Sequence, residues 1–163
     1  IHCDPASLTS VNLLRVLLAE RGWSPTFEPL PDYARAAELE NLLLIGNPGI
    51  DFLRTPHEHK IWDLGAAWHE LTALPFVYAV WALRRGHHND ALREKLRQAK
   101  TAGLAQLADT IASHPDYDVD FRQAYLGGHI RYDLGDEEKS GLRKFVKLLK
   151  TPGEQPVYEP TFV

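Results

Sequence analysis

Apolar residues recur along this chain in blocks whose spacing changes from one block to the next, and each spacing predicts an element. The longest block runs from Trp62 to Leu83. Its first half places Leu64, Ala67, Trp68 and Leu71 on one face of a helix that Leu74-Pro75 stops. Phe76 to Leu83 is then aromatic, β-branched and uncharged, too continuous for a half-exposed strand and too short for a membrane span. It predicts a strand buried on both faces. A helix turning at proline into such a strand is expected to join two lobes of an α/β protein, with polar positions beside it left for a ligand.

Upstream, Ile1 to Cys3 reads as the end of a strand, and Val11, Leu14, Leu17 and Leu18 as the buried face of a helix ending before Gly22. Thr26 to Leu30 predicts a second strand, with Pro29 and Pro31 in a turn, then an alanine-rich helix from Tyr33 to Leu39. Leu42 to Ile45 is a fully apolar strand broken at once by Gly46-Asn47-Pro48-Gly49.

Downstream, Asn89 is expected to cap a long helix reaching Ser113, whose stripe of Leu92, Leu96, Ala99, Gly103, Leu107 and Ile111 packs into a core. Phe121 to Leu126 predicts a short helix, Gly127-Gly128 a turn and Ile130 to Leu134 a short alternating segment. Asp136 opens a final helix with Leu142, Phe145, Val146 and Leu149 inward. The tail beyond Thr151, with Pro152, Pro156 and Pro160, reads as an extended strap.

Composition narrows the class. The 163 residues, 44% apolar and 25% charged, suffice for one domain or for parts of two small lobes. A net charge of -4 with scattered Lys and Arg argues against a nucleic-acid surface, and no stretch reads as a signal peptide or membrane span. One cysteine, Cys3, excludes an internal disulfide framework and gives no support for an oxidising compartment, so a reducing interior is expected. The chain starts Ile-His-Cys and has no methionine, from which an N-terminally incomplete product is expected.

The candidate chemistry lies in small polar residues at element ends. Ser7, Thr9 and Ser10 sit at a helix start. N-capping accounts for one hydroxyl and about 1 kcal/mol; three hydroxyls beside free N–H groups and the positive end of a helix dipole suit a carboxylate. Gly46 and Asn47 follow the C-terminal end of an apolar strand, where they form either a ligand-contacting edge or a plain tight turn. Thr72 ends the helix before the proline. His57 and His59, expected on opposite sides of a strand, join His69-Glu70 and His87-His88 as solvated residues without metal spacing. No P-loop, nucleophile elbow or dinucleotide fingerprint is present, and no catalytic residue is assigned. Such a set binds and orients better than it attacks.

These residues carry a resemblance. S-x-T-S before an amphipathic helix, a leucine-rich strand ending Ile-Gly-Asn, D-L-G-x-x-W-x-E-L-T-x-L-P-F-V-Y-A-V-W from Asp63 to Trp81, and Y-L…I-x-Y-x-L…E-x-x-G-L-x-x-F resemble the menaquinone biosynthesis proteins of the futalosine pathway, in the chorismate dehydratase branch. The resemblance implies a type II periplasmic-binding-protein-like fold of two α/β lobes, with residues 1–80 in the second lobe. Residues 81–163 would then be the hinge return, helices and remainder of the first lobe. It implies elimination of water from chorismate to 3-enolpyruvylbenzoate by a cytoplasmic lyase with no metal or organic cofactor, and leaves room for a homodimer. Ser7, Thr9 and Ser10 would bind carboxylate, Gly46 and Asn47 would form the cleft floor, and Thr72 would lie on its hinge side. Gly-Asp is usual in the family at Gly46-Asn47, and Thr-Gly-Leu-Pro at Thr72 to Pro75, where the added methyl is expected to matter little. The family's opening lobe segment has no counterpart before Ile1, so half a cleft is expected. Two other readings remain: a solute-binding protein of the same fold for a small carboxylate, and the sister 1,4-dihydroxy-6-naphthoate synthase.

Overall fold

A computed structural model describes residues 1–84, 86, 89–149 and 157–163. The His87-His88 loop and most of the proline-rich strap, with Pro152 and Pro156, lie outside the described residues. The chain forms two compact units, Ile1–Val80 with Asp136–Val163, and Trp81–Gly135. It is a mixed α/β, helix-rich protein with a small parallel sheet.

In the first unit three two-residue strands, β1 (His2–Cys3), β2 (Glu28–Pro29) and β3 (Leu42–Leu43), lie parallel in the order β2-β1-β3. Cys3 stands opposite Pro29 on one side and Leu43 on the other. Helix α1 (Leu8–Ala19) connects β1 to β2 and is covered on two sides. Leu14 and Leu18 meet Cys3 and Leu43 on the sheet, while Leu13, Val16 and Leu17 meet Trp68 and Phe145. That double cover explains why Leu13 and Val16, outside the stripe expected from spacing, are buried as well. A six-residue 3₁₀ segment, Tyr33–Glu38, replaces the expected short helix.

Helix α2 (Gly46–Arg54) corrects the tight turn expected at Gly46-Asn47-Pro48-Gly49. Proline in a first helical turn loses no intrahelical hydrogen bond, because the N–H groups there have no acceptor in any case. The same four residues can therefore open a helix. Gly46 takes φ 58°, the left-handed region open to glycine.

Helix α3 (Leu64–Thr72) starts where Asp63 Oδ1 accepts the Ala66 N–H at 2.7 Å and stops before Pro75, as the spacing predicts. Its cap, Ala73, has φ 55° and ψ 21°. The methyl has a backbone cost here, since L-residues are penalised in this region and glycine is not. Ala73→Gly is expected to stabilise the protein by about 0.5–1 kcal/mol, glycine's looser unfolded state offsetting part of the relief. A urea midpoint that falls in this variant would contradict the account.

The strand expected over Phe76 to Leu83 does not form. Residues 76–84 carry no regular hydrogen-bonded structure, and Tyr78, Val80 and Trp81 are 49, 48 and 64% exposed. Apolar continuity signals burial only where a neighbouring strand edge exists, and the three described strands pair with one another. Phe76 instead packs edge-on against Trp68 and Phe145, at 5.4 and 4.9 Å between ring centroids. Helix α7 (Asp136–Leu149) supplies Phe145 to the same core and buries Val146, as expected, with Leu142 and Leu149 half-buried.

The second unit contains α4 (Asp90–Ala105), α5 (Leu107–Ser113), α6 (Val119–Ala124) and a π-helical turn over Tyr125–His129. Asn89 caps α4 through the Leu92 N–H at 2.9 Å. The expected single helix breaks at Gln106, and its stripe is not core: α4 buries no residue, and only Ile111 of the stripe is buried. Periodicity shows which face is apolar, not that another element covers it. The π turn, closed by the Ile130 N–H on the Tyr125 carbonyl at 3.1 Å, takes the place of the expected Gly127-Gly128 turn. The alternating segment Ile130 to Leu134 is irregular. Arg122, 9% exposed, holds this unit together by donating to the carbonyls of Ile111, Ala112, Asp116 and Tyr117. A guanidinium carries five donors in a fixed planar fork and so can reach several carbonyls at once.

Candidate functional site

Strand order β2-β1-β3 contains a switch point. The chain leaves β1 through α1 for β2, then crosses back past β1 to β3, so the strand order reverses between β1 and β3. In open parallel sheets the crevice at the C-terminal ends of such strands takes ligands. Here it is flanked by Asp4 to Ser10 after β1 and by Leu44 to Asn47 after β3. The Asp4 N–H to Leu43 carbonyl bond of 2.9 Å joins the two edges.

The starts of α1 and α2 both lie at this end of the sheet. Ser7 caps α1: its Oγ accepts the Ser10 N–H at 3.1 Å and donates to Ser10 Oγ, also at 3.1 Å. Ser10 is buried, and Ser7 and Thr9 are half-buried. Capping therefore engages Ser7 and Ser10 together, and Thr9 makes no side-chain hydrogen bond among the described residues. Helix α2 has no side-chain cap, and Gly46 and Asn47 at its start are exposed. An uncapped helix start offers backbone N–H groups to an anion. Thr72 is elsewhere in its bonding: its hydroxyl donates to the Trp68 carbonyl at 2.8 Å and accepts the Leu74 N–H at 3.2 Å, closing α3.

Asp4 is the residue that spacing did not single out. It is 1% exposed; Oδ1 accepts the Ala6 N–H at 2.9 Å and the Tyr33 hydroxyl at 2.8 Å. Oδ2, buried too, has no hydrogen-bond partner among the described residues. The hydrogen bond to Asp4, with burial and the nearby negative charge behind it, holds the Tyr33 phenol above its ordinary pKa. The signal available in the sequence was an acid directly after a short apolar strand, ahead of a hydroxyl-rich helix start. A shallow cavity of about 250 Å³ opens beside Asp4 and Ser7 on the β2 side, walled by Leu8, Val11, Phe27 and Pro29. Burial pushes the Cys3 thiol up, against smaller opposing effects of the N-terminal amine and Arg15, which disfavours its thiolate.

The histidines do not lie on opposite sides of a strand. The loop after α2 brings His57 and His59 to the same Phe52 ring, at 4.9 and 5.3 Å, and their own rings are 6.1 Å apart. His59 Nε2 donates to the Leu39 carbonyl at 2.7 Å. Among the described residues no three His, Cys, Asp or Glu side chains gather as a metal site. No helix among them is long and apolar enough to cross a membrane.

Residues 1–151 match the family described as menaquinone biosynthesis. The chain belongs to that family. It is 34% identical to a chorismate dehydratase of Thermus thermophilus over 90% of this chain and 61% of that protein. It is 28% identical to a chorismate dehydratase of Campylobacter jejuni over 72% of this chain and 52% of that protein. The chain thus spans between half and two thirds of the length of these relatives. Within the family match fall the β1 and β3 loops, both helix starts and the Trp68 core.

Proposed function

We infer that this protein works as a chorismate dehydratase, a cytoplasmic hydro-lyase that removes water from chorismate to give 3-enolpyruvylbenzoate in menaquinone biosynthesis. The observation that carries the reading is the 34% identity to the Thermus thermophilus enzyme across 90% of the chain. The switch-point site is compatible with it. Elimination from a cyclohexadiene is driven by aromatisation, so the protein's task is to fix carboxylates and hold the leaving hydroxyl in register. Ser7, Thr9 and Ser10 are proposed to bind carboxylate at the α1 start, Gly46 and Asn47 at the uncapped α2 start, and Thr72 to shape the hinge side through α3. An amide at Asn47 in place of a carboxylate removes a like charge from the path of an anion.

The two-lobed, type II periplasmic-binding-protein-like architecture is proposed with it. Residues 1–80 would form most of the second lobe, with α7 packed back onto it, and the remainder of 81–163 would hold the hinge return and helices of the first. Incubating the purified protein with chorismate tests the activity. A product lighter by one water, with loss of the diene absorbance, is expected. Unchanged chorismate in the presence of folded protein would overturn the reading.

A further inference from the structure

A helix start with clustered hydroxyls can hold an anion, but Asp4 does not fit a site built for anions alone. Its carboxylate is sequestered at the end of β1, within the same loop as Ser7, and Asp4 is one of the residues around the cavity beside that serine. Oδ1 is occupied by Ala6 and Tyr33 while Oδ2 is left without a donor among the described residues. A buried acceptor without a donor is costly to the fold and is rare unless something else supplies the proton. A ligand carboxylate cannot do so; it would bring a second set of acceptors and a like charge. A hydroxyl can.

The remaining geometry fits a ligand carrying both groups. Donors belong to the helix starts, at the Ser10 hydroxyl and the exposed α2 N-terminus, whereas the acceptor without a donor lies in the preceding loop at Asp4. Tyr33, on the 3₁₀ segment after β2, holds the other carboxylate oxygen and so fixes where Oδ2 points. Access to Oδ2 requires the Asp4 to Ser7 loop or the Tyr33 ring to shift, because the oxygen is covered.

We propose that Asp4 is the specificity-determining acceptor of this site, with Oδ2 taking the hydroxyl proton of a hydroxy-carboxylate whose carboxylate rests on the α1 and α2 starts. The inference rests on the chorismate reading, since a molecule that can lose water must bring a hydroxyl. It adds which residue recognises that hydroxyl. A site that bonds a hydroxyl rejects the analogue lacking it, because the buried acceptor is then left bare.

The test compares chorismate with 3-enolpyruvylbenzoate, which keeps the carboxylates and lacks the hydroxyl. Calorimetric titration of the purified protein in the cold gives both affinities, and mass spectrometry of the same samples reports turnover. Wild type is expected to bind chorismate at least about tenfold more tightly than the product. Asp4→Asn is expected to weaken chorismate about ten- to hundredfold and the product less than about threefold. Asp4→Asn weakening both ligands equally, or neither, would overturn the assignment while leaving dehydration intact, because turnover is read separately. If Asp4→Asn does not fold, the wild-type pair still decides: equal affinity for the two ligands overturns the assignment. Absence of both binding and turnover would sink the chorismate reading and this inference together.

Discussion

Trp68→Ala is expected to cost the first unit about 3–5 kcal/mol, enough to bring a domain of ordinary stability to the edge of unfolding. Trp68 is fully buried, with its indole ring edge-on to Phe76 and, at 5.9 Å, to Phe145. The same cluster contains Leu13, Val16 and Leu17 of α1. Truncation therefore leaves a cavity where three elements meet, and it strips the Pro75 carbonyl of the indole N–H that reaches it at 3.3 Å. Trp68→Phe keeps most of the volume and loses the donor, so a smaller loss of about 1–2 kcal/mol is expected. Urea unfolding measures both. Of the four tryptophans, Trp23, Trp62 and Trp81 are substantially exposed, so the blue-shifted part of the native emission should vanish with Trp68. A loss under about 1 kcal/mol for Trp68→Ala would show that α1 is not anchored through this ring. Because α1 carries Ser7 and Ser10 at its start, ligand affinity should fall with stability.

Gly141→Ala should destabilise by about 2–3 kcal/mol even though alanine is the better helix former by about 1 kcal/mol. A Cβ at Gly141 would stand 2.2 Å from the Pro75 carbonyl oxygen, so α7 must back away from the turn after α3. That oxygen is already held by Trp68, which leaves it little freedom to yield. Gly103, on α4, has nothing within 4 Å of a built Cβ and serves as the control. Gly103→Ala should gain up to about 1 kcal/mol. Opposite signs for one substitution on two helices would establish close approach as the cause; a gain at both positions would refute it.

Much of the first unit was legible along the chain. The spacing of Leu64, Ala67, Trp68 and Leu71, the stop at Pro75 and the inward face of α7 all arise from helical period and breaker chemistry, which are local properties. The Ser7 cap was legible for the same reason, since its partner is three residues away. The burial of Leu13 and Val16 was not, because a second cover on α1 comes from residues more than fifty positions later.

The misreadings share one cause. Phe76 to Leu83 and the α4 stripe are strongly apolar, and composition cannot say whether a partner edge or face stands opposite. Gly46 to Gly49 carries turn residues that serve equally well as a first helical turn, and those four residues alone do not choose between the two. Asp4 shows the same limit at the site. Its meaning depends on Tyr33, twenty-nine residues away, and on a covering that leaves one oxygen without a donor. Local sequence sets element type, caps and stops through interactions within one turn, and the family motif from Asp63 to Trp81 is read the same way. Strand order, the switch point and the orphaned carboxylate arise from contacts between distant segments, whose energies no short window of residues contains.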